Sequence, residues 1–123
     1  MRILIIEDEI QTAKLIKSYL ENNGHRADYY TDGISGGQAV EVSHDNYDIL
    51  LLDLMLPGKD GFSILGEMHK KNIHLPVIII TGLGSLSDIL TAYTLGAHEY
   101  LVKPFTFKEL KAKIKEVERV TNS

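Results

Sequence analysis

The chain contains no cysteine, only 3 prolines among 123 residues, and no long apolar run. Without cysteine there is no disulfide to staple the fold, and at this length none is needed. A single core can bury roughly 65–70% of the surface an unfolded chain of this size exposes. The same absence suits a reducing cytoplasm. Apolar runs such as VIII at 77–80 are far too short to span a bilayer. The first residues show no charged segment followed by a long apolar stretch and a cleavage site, so a cytosolic protein without membrane contact is expected. Internal repeats, low-complexity segments and linkers are also missing, which predicts one domain over residues 1–123. A formal net charge of −4 leaves little surplus lysine or arginine to neutralise phosphates, arguing against a domain that itself wraps DNA or RNA. Basic residues gather only near the end, where Lys108, Lys111, Lys113, Lys115 and Arg119 alternate with Glu109, Glu116 and Glu118 in the pattern of a solvated helix face.

What is present is an ordinary globular composition, 44% apolar and 24% charged, with a regular alternation of patterns. Short runs rich in β-branched residues occur at 2–6 (RILII), 27–30 (ADYY), 48–53 (DILLLD), 76–80 (PVIII) and 99–102 (EYLV). Several are continuously apolar, as expected of parallel strands covered on both faces. Between them apolar residues recur at helical spacing: Ala13, Ile16 and Leu20; Phe62, Leu65 and Met68; Leu86, Leu90 and Tyr93; Phe107, Leu110, Ile114 and Val117. Gly24 and Gly96 suit left-handed helix ends, and Thr106 with Glu109 forms a capping box that opens the last helix. The second helix, about 34–44, is the weak one, because Gly36 and Gly37 together cost it roughly 2 kcal/mol against alanine. It is expected to be short or mobile. Five βα units predict an α/β fold, a doubly wound five-stranded parallel sheet in the flavodoxin-like order 2-1-3-4-5.

In such sheets ligands bind beyond the carboxyl ends of the strands, so the residues at those ends matter most. The first strand ends in Glu7, Asp8 and Glu9, the third in Asp53, the fourth in Thr81 and the fifth in Lys103 and Pro104. Any one taken singly reads as a cap, a turn or a solvated charge. Their convergence on one edge is what points to a site. Clustered carboxylates repel unless a cation lies among them, and an oxygen-only set without histidine or cysteine favours Mg2+. Lys103 offers a fixed positive charge and Thr81 a hydroxyl donor to the oxygens of a phosphoryl group. Asp53 can then serve as a nucleophile that forms an aspartyl phosphate.

The acidic pair Glu7-Asp8, Asp53 within LLLDLMLPGKDG, Thr81, and the run YLVKPF from Tyr100 to Phe105 together resemble the receiver domain of two-component response regulators. The resemblance runs from Arg2 to about Val120. It implies phosphorylation of Asp53 by a partner histidine kinase on Mg2+, and a metal held by Asp8, Asp53 and the backbone carbonyl of Met55, with Glu7 assisting through water. It also implies that Thr81 and Lys103 bind the phosphoryl oxygens and that the Lys103–Pro104 bond is cis. Recruitment of Thr81 would turn Tyr100 inward and alter the face formed by the fourth helix, fifth strand and fifth helix, a local charge event biasing a two-state element. The same face is the one through which homodimerisation is implied. An output in transcription would require DNA contact through a domain outside this chain; the other reading is a stand-alone receiver acting by protein–protein contact.

Several positions depart from the family pattern. Gly82 stands where a small alanine is usual, which adds backbone freedom beside Thr81. Within the winged-helix DNA-binding subfamily, His98 replaces a common acid and Lys113 an expected arginine. Lysine forfeits bidentate pairing, which weakens that subfamily's dimer. Met55 and Leu83 are apolar neighbours of Asp53 and Thr81 that would limit water attack on an acyl phosphate. The histidines His25, His44, His69, His74 and His98 are scattered without ligand spacing and read as surface residues. A Mg2+-dependent phosphohydrolase would want a second acid where Met55 stands, and a flavin carrier would want a phosphate loop where this chain has Glu7, Asp8 and Glu9.

Overall fold

The computed structural model describes residues 1–121. Strands β1 (Arg2–Ile6), β2 (Arg26–Tyr30), β3 (Ile49–Leu52), β4 (Val77–Thr81) and β5 (Glu99–Val102) alternate with helices α1 (Ile10–Asn22), α2 (Gly33–Ser43), α3 (Gly61–Lys70), α4 (Leu86–Thr94) and α5 (Phe107–Thr121). A 3-10 turn at His44–Asn46 follows α2. All four strand pairings are parallel, in the order β2-β1-β3-β4-β5. No helix among the described residues is long and apolar enough to cross a membrane.

The central strands are apolar throughout because both faces are covered, and successive side chains serve different layers. Leu4, Ile6, Leu50, Leu52, Val77 and Ile79 pack with Val40 of α2, Ile64, Leu65 and Met68 of α3, and Ala92 of α4. The alternate residues Ile3, Ile5, Ile49, Leu51, Ile78 and Ile80 pack with Ile16 and Leu20 of α1 and with Leu110, Ile114 and Val117 of α5. Helix starts follow the expected capping chemistry. The side chains of Asp32, Asp60 and Ser85 accept from the backbone amides of Ser35, Ser63 and Asp88 respectively. Thr106 and Glu109 close a reciprocal capping box at 2.9 and 3.1 Å. Gly24 and Gly96 follow α1 and α4 with φ of 87° and 106°.

Two expectations are corrected. β4 begins at Val77 rather than Pro76 and runs through Thr81, while β3 stops at Leu52 with Asp48 and Asp53 just outside it. Helix α2 is not short: its 11 residues compare with 10 in α3 and 9 in α4. A Cβ on Gly36 would lie 2.8 Å from the side chain of Ile6. That glycine weakens the isolated helix yet lets it approach the sheet more closely than any side chain would allow.

Candidate functional site

Parallel pairing brings the ends of β1, β3, β4 and β5 to one edge. Ile6 pairs with Leu52 and Thr81 with Val102, so Glu7 and Asp53 leave the sheet side by side while Lys103 follows just beyond β5. Backbone bonds extend the order past the strands: Asp53 N–H donates to Ile6 at 2.9 Å, and Lys103 N–H to Thr81 at 2.7 Å. Behind Asp53 the chain turns at Gly58, φ 81°, and returns at Gly61, where a Cβ would sit 2.3 Å from the Asp53 carbonyl oxygen. Only glycine lets α3 start that close to the site.

Glu7 is fully buried and Asp53 is 3% exposed, whereas Asp8 is exposed. Carboxylate oxygens of these three acids lie within 4.8 Å of one another. Lys103 Nζ donates to Asp53 Oδ2 at 2.8 Å and contacts Glu7 Oε1 as an ion pair. The remaining oxygens find backbone donors, Met55 N–H on Asp53 Oδ1 at 3.0 Å and Glu9 N–H on Glu7 Oε2 at 3.1 Å. Glu7 Oε1 has no well-directed hydrogen bond although it is buried. Burial pushes the Glu7 carboxyl up to about 7, against the pull of Lys103 and the Glu9 amide, with Asp8 adding to the rise. For Lys103, burial acts to lower the pKa, but its bonds to Asp53 and Glu7 prevail and hold it above its ordinary value. One ammonium thus faces three acids, an arrangement short of positive charge and composed wholly of oxygen donors.

The described site residues fall where the strand ends predict, and the Lys103–Pro104 bond is cis. Thr81 is fully buried, and its Oγ1 lies 3.4 Å from the Leu83 amide, which donates to it. Tyr100 is 9% exposed and its hydroxyl donates to the Leu83 carbonyl at 2.5 Å. The ring is therefore already turned in. Met55 is 57% exposed at the rim. A methyl group on Gly82 would meet nothing within 4 Å, so an alanine would fit and the glycine leaves open space beside Thr81.

Residues 3–115 match the family described as the response regulator receiver domain. The chain belongs to this receiver-domain family. Among curated proteins it is 38% identical over 119 residues to the transcriptional activator protein IrlR of Burkholderia pseudomallei, covering 97% of this chain and 51% of that protein. It is 39% identical over 122 residues to the transcriptional regulatory protein QseB of Escherichia coli O157:H7, covering 99% and 55%. The solved receiver domain of Francisella response regulator 1452 superposes with a TM-score of 0.90 at 32% identity, covering 98% of each chain. This receiver domain spans about half the length of the curated relatives it matches.

His98 is exposed, as its reading as a surface residue predicts, but one of its contacts is not legible in the sequence. His98, together with His69 and His74, lines a single cavity, and its Nδ1 accepts from the Val77 amide. Spacing along the chain carries no sign of this, because Val77 and His98 meet only when β4 and β5 align.

Proposed function

We propose that residues 1–123 form one receiver domain in which Asp53 accepts a phosphoryl group from a phosphohistidine on a sensor kinase. The observation that carries this reading is the meeting of buried Asp53 and Glu7 on Lys103 at the sheet edge, with Asp8 exposed beside them. An Asp53 oxygen attacks phosphorus, the P–N bond breaks, and its electron pair returns to the imidazole that leaves. Asp53 is held for this step by the Met55 amide and by Gly61's close approach behind it. Lys103, already bonded to Asp53, offsets charge on the transferred oxygens, and Thr81 offers its hydroxyl to one of them.

The donor set fits Mg2+, which Asp8, Asp53 and the Met55 carbonyl would hold, with Glu7 assisting through water. All donors are oxygens, and the buried Glu7 Oε1, without a well-directed hydrogen bond, has only the Lys103 ammonium beside it as positive charge. When bound, Mg2+ supplies positive charge that relieves repulsion among these carboxylates and the incoming phosphoryl oxygens. The chemistry of the domain is confined to gaining and losing its own phosphoryl group.

The route outward runs through Leu83. Its amide is tied to Thr81 and its carbonyl to Tyr100, so drawing Thr81 toward a phosphoryl group disturbs the residue whose carbonyl anchors the ring. That event biases the face formed by α4, β5 and α5, where Leu86, Leu90, Tyr93 and Val102 stand exposed. We assign homodimerisation to this face. Lys113 spends its charge on Glu99 of the same chain at 3.1 Å, which leaves the dimer less ionic support. Relatives named as transcriptional regulators support an output in transcription, through a DNA-binding domain beyond this chain.

The test is chemical mapping of the phosphorylated residue. Treatment with acetyl phosphate and Mg2+, then borohydride, should convert Asp53 to homoserine. Phosphate found on a histidine, or reduction at another acid, would overturn the assignment.

A further inference from the structure

We propose that His98 is a proton-sensitive latch between the starts of β4 and β5: its neutral imidazole holds the buried Val77 amide, and protonation releases it. The latch consists of two bonds between the same two residues. His98 N–H donates to the Val77 carbonyl at 2.8 Å, and Val77 N–H donates to His98 Nδ1 at 3.2 Å. The regular register begins one step later, at Ile78 opposite Glu99. The chain reaches β5 through the left-handed Gly96, φ 106°, and among the described residues no backbone carbonyl takes the Val77 amide in place of the imidazole. Val77 is 1% exposed, and its amide therefore depends on the side chain.

An imidazole nitrogen accepts a hydrogen bond only when it carries no proton, so the bond requires the neutral ring with its hydrogen on Nε2. On protonation, Nδ1–H would face Val77 N–H, donor against donor. The bond is then lost and a buried donor is left unpaired.

His98 is exposed to solvent, but the protein groups around it offer an imidazolium little. With His69 from α3 and with Asn72 and His74 from the loop before β4, His98 lines a cavity of about 290 Å³. Among the described residues lining it there is no carboxylate, and two of them are imidazoles that gain charge in the same pH range. The adjacent Glu99 is the acid that favours protonation, and it is already paired with Lys113 of α5. Burial lowers the His98 pKa, with Glu99 opposing. A histidine whose folded pKa lies below its unfolded value of about 6.5 contributes stability that is present above that pH and lost as pH falls toward the folded value. The latch is closed at neutral pH and opens in mild acid. It lies two residues before Tyr100, on the face assigned to signalling, but its operation does not require that Asp53 be phosphorylated.

The experiment is site-resolved amide exchange by NMR on the 15N-labelled chain at pH 8 and pH 5, each rate divided by its intrinsic value. Val77 protection should fall by about tenfold or more at pH 5, the scale expected for an orphaned buried donor. His98→Asn, whose amide oxygen accepts without titrating, should keep Val77 protected at both pH values, and His98→Ala should lose protection at both. Equal protection of Val77 at the two pH values in the unmodified chain, or the same acid-induced loss in His98→Asn, would overturn the proposal. In the unmodified chain the His98 ring should also titrate below 6.5 from the Nε2–H tautomer; titration at or above that value would overturn it without any variant.

Discussion

Replacing Glu7 with glutamine isolates the electrostatic cost of the site. Glu7 is fully buried, and its carboxyl moves from 4.5 to about 7 on folding. At about 1.4 kcal/mol per pH unit, that shift costs the folded state about 3 kcal/mol once Glu7 is ionised. The sign follows from the raised pKa. The native state binds this proton more tightly than the unfolded chain does, so its contribution to stability is complete below 4.5 and lost as pH rises to about 7. His25 and His98, whose pKa values burial lowers, act in the opposite direction. The variant therefore has to be read as a difference. Urea unfolding with EDTA present, from pH 4.5 to pH 8, should show the stability of the unmodified chain minus that of Glu7→Gln falling by about 3 kcal/mol across the range. A difference that stays flat, or one that rises with pH, would refute the claim that burial of Glu7 outweighs its pairing with Lys103 and the Glu9 amide.

Other outcomes follow from the same geometry. Mg2+ and the Glu7 proton compete, so Mg2+ should raise the unfolding midpoint more at pH 8 than at pH 5.5; equal stabilisation at both would contradict a site that includes Glu7. Gly61→Ala places a methyl 2.3 Å from the Asp53 carbonyl oxygen. It should cost about 1–3 kcal/mol in urea unfolding and slow phosphorylation by acetyl phosphate, whereas an unchanged rate would show that the approach does not position Asp53. Tyr100→Phe removes the bond to the Leu83 carbonyl and should cost about 1 kcal/mol, measured by the same unfolding assay. If Met55 and Leu83 restrict water, the phosphorylated form should outlast seconds, and a half-life of seconds would count against them.

Much of this molecule is legible from residue pattern because burial on both faces leaves a plain trace. Leu50, Leu51 and Leu52 have to be a covered strand, and Asp53 then has to be where that strand emerges. The acids after β1 and Lys103 after β5 become one site as soon as the strand order is assumed. Helix α2 departs from expectation for a physical reason: propensity counts what Gly36 costs an isolated helix and omits the contact with Ile6 that requires it. The inward hold on Tyr100 is invisible in the sequence because the Leu83 carbonyl that receives its hydroxyl comes from a loop 17 positions away. His98 is hidden in the same way, since an imidazole taking the place of a ladder carbonyl shows only once β4 and β5 are aligned. Local chemistry and periodicity survive in the sequence, whereas contacts made by the meeting of distant loops do not.

The central claim is that Asp53 is the phosphoacceptor. Its most direct test is the intact mass of the chain after incubation with acetyl phosphate and Mg2+, beside the same reaction in EDTA and with Asp53→Asn. The account predicts one added phosphoryl group in the first reaction and none in the other two. No gain in the first, or an equal gain in Asp53→Asn, would contradict it.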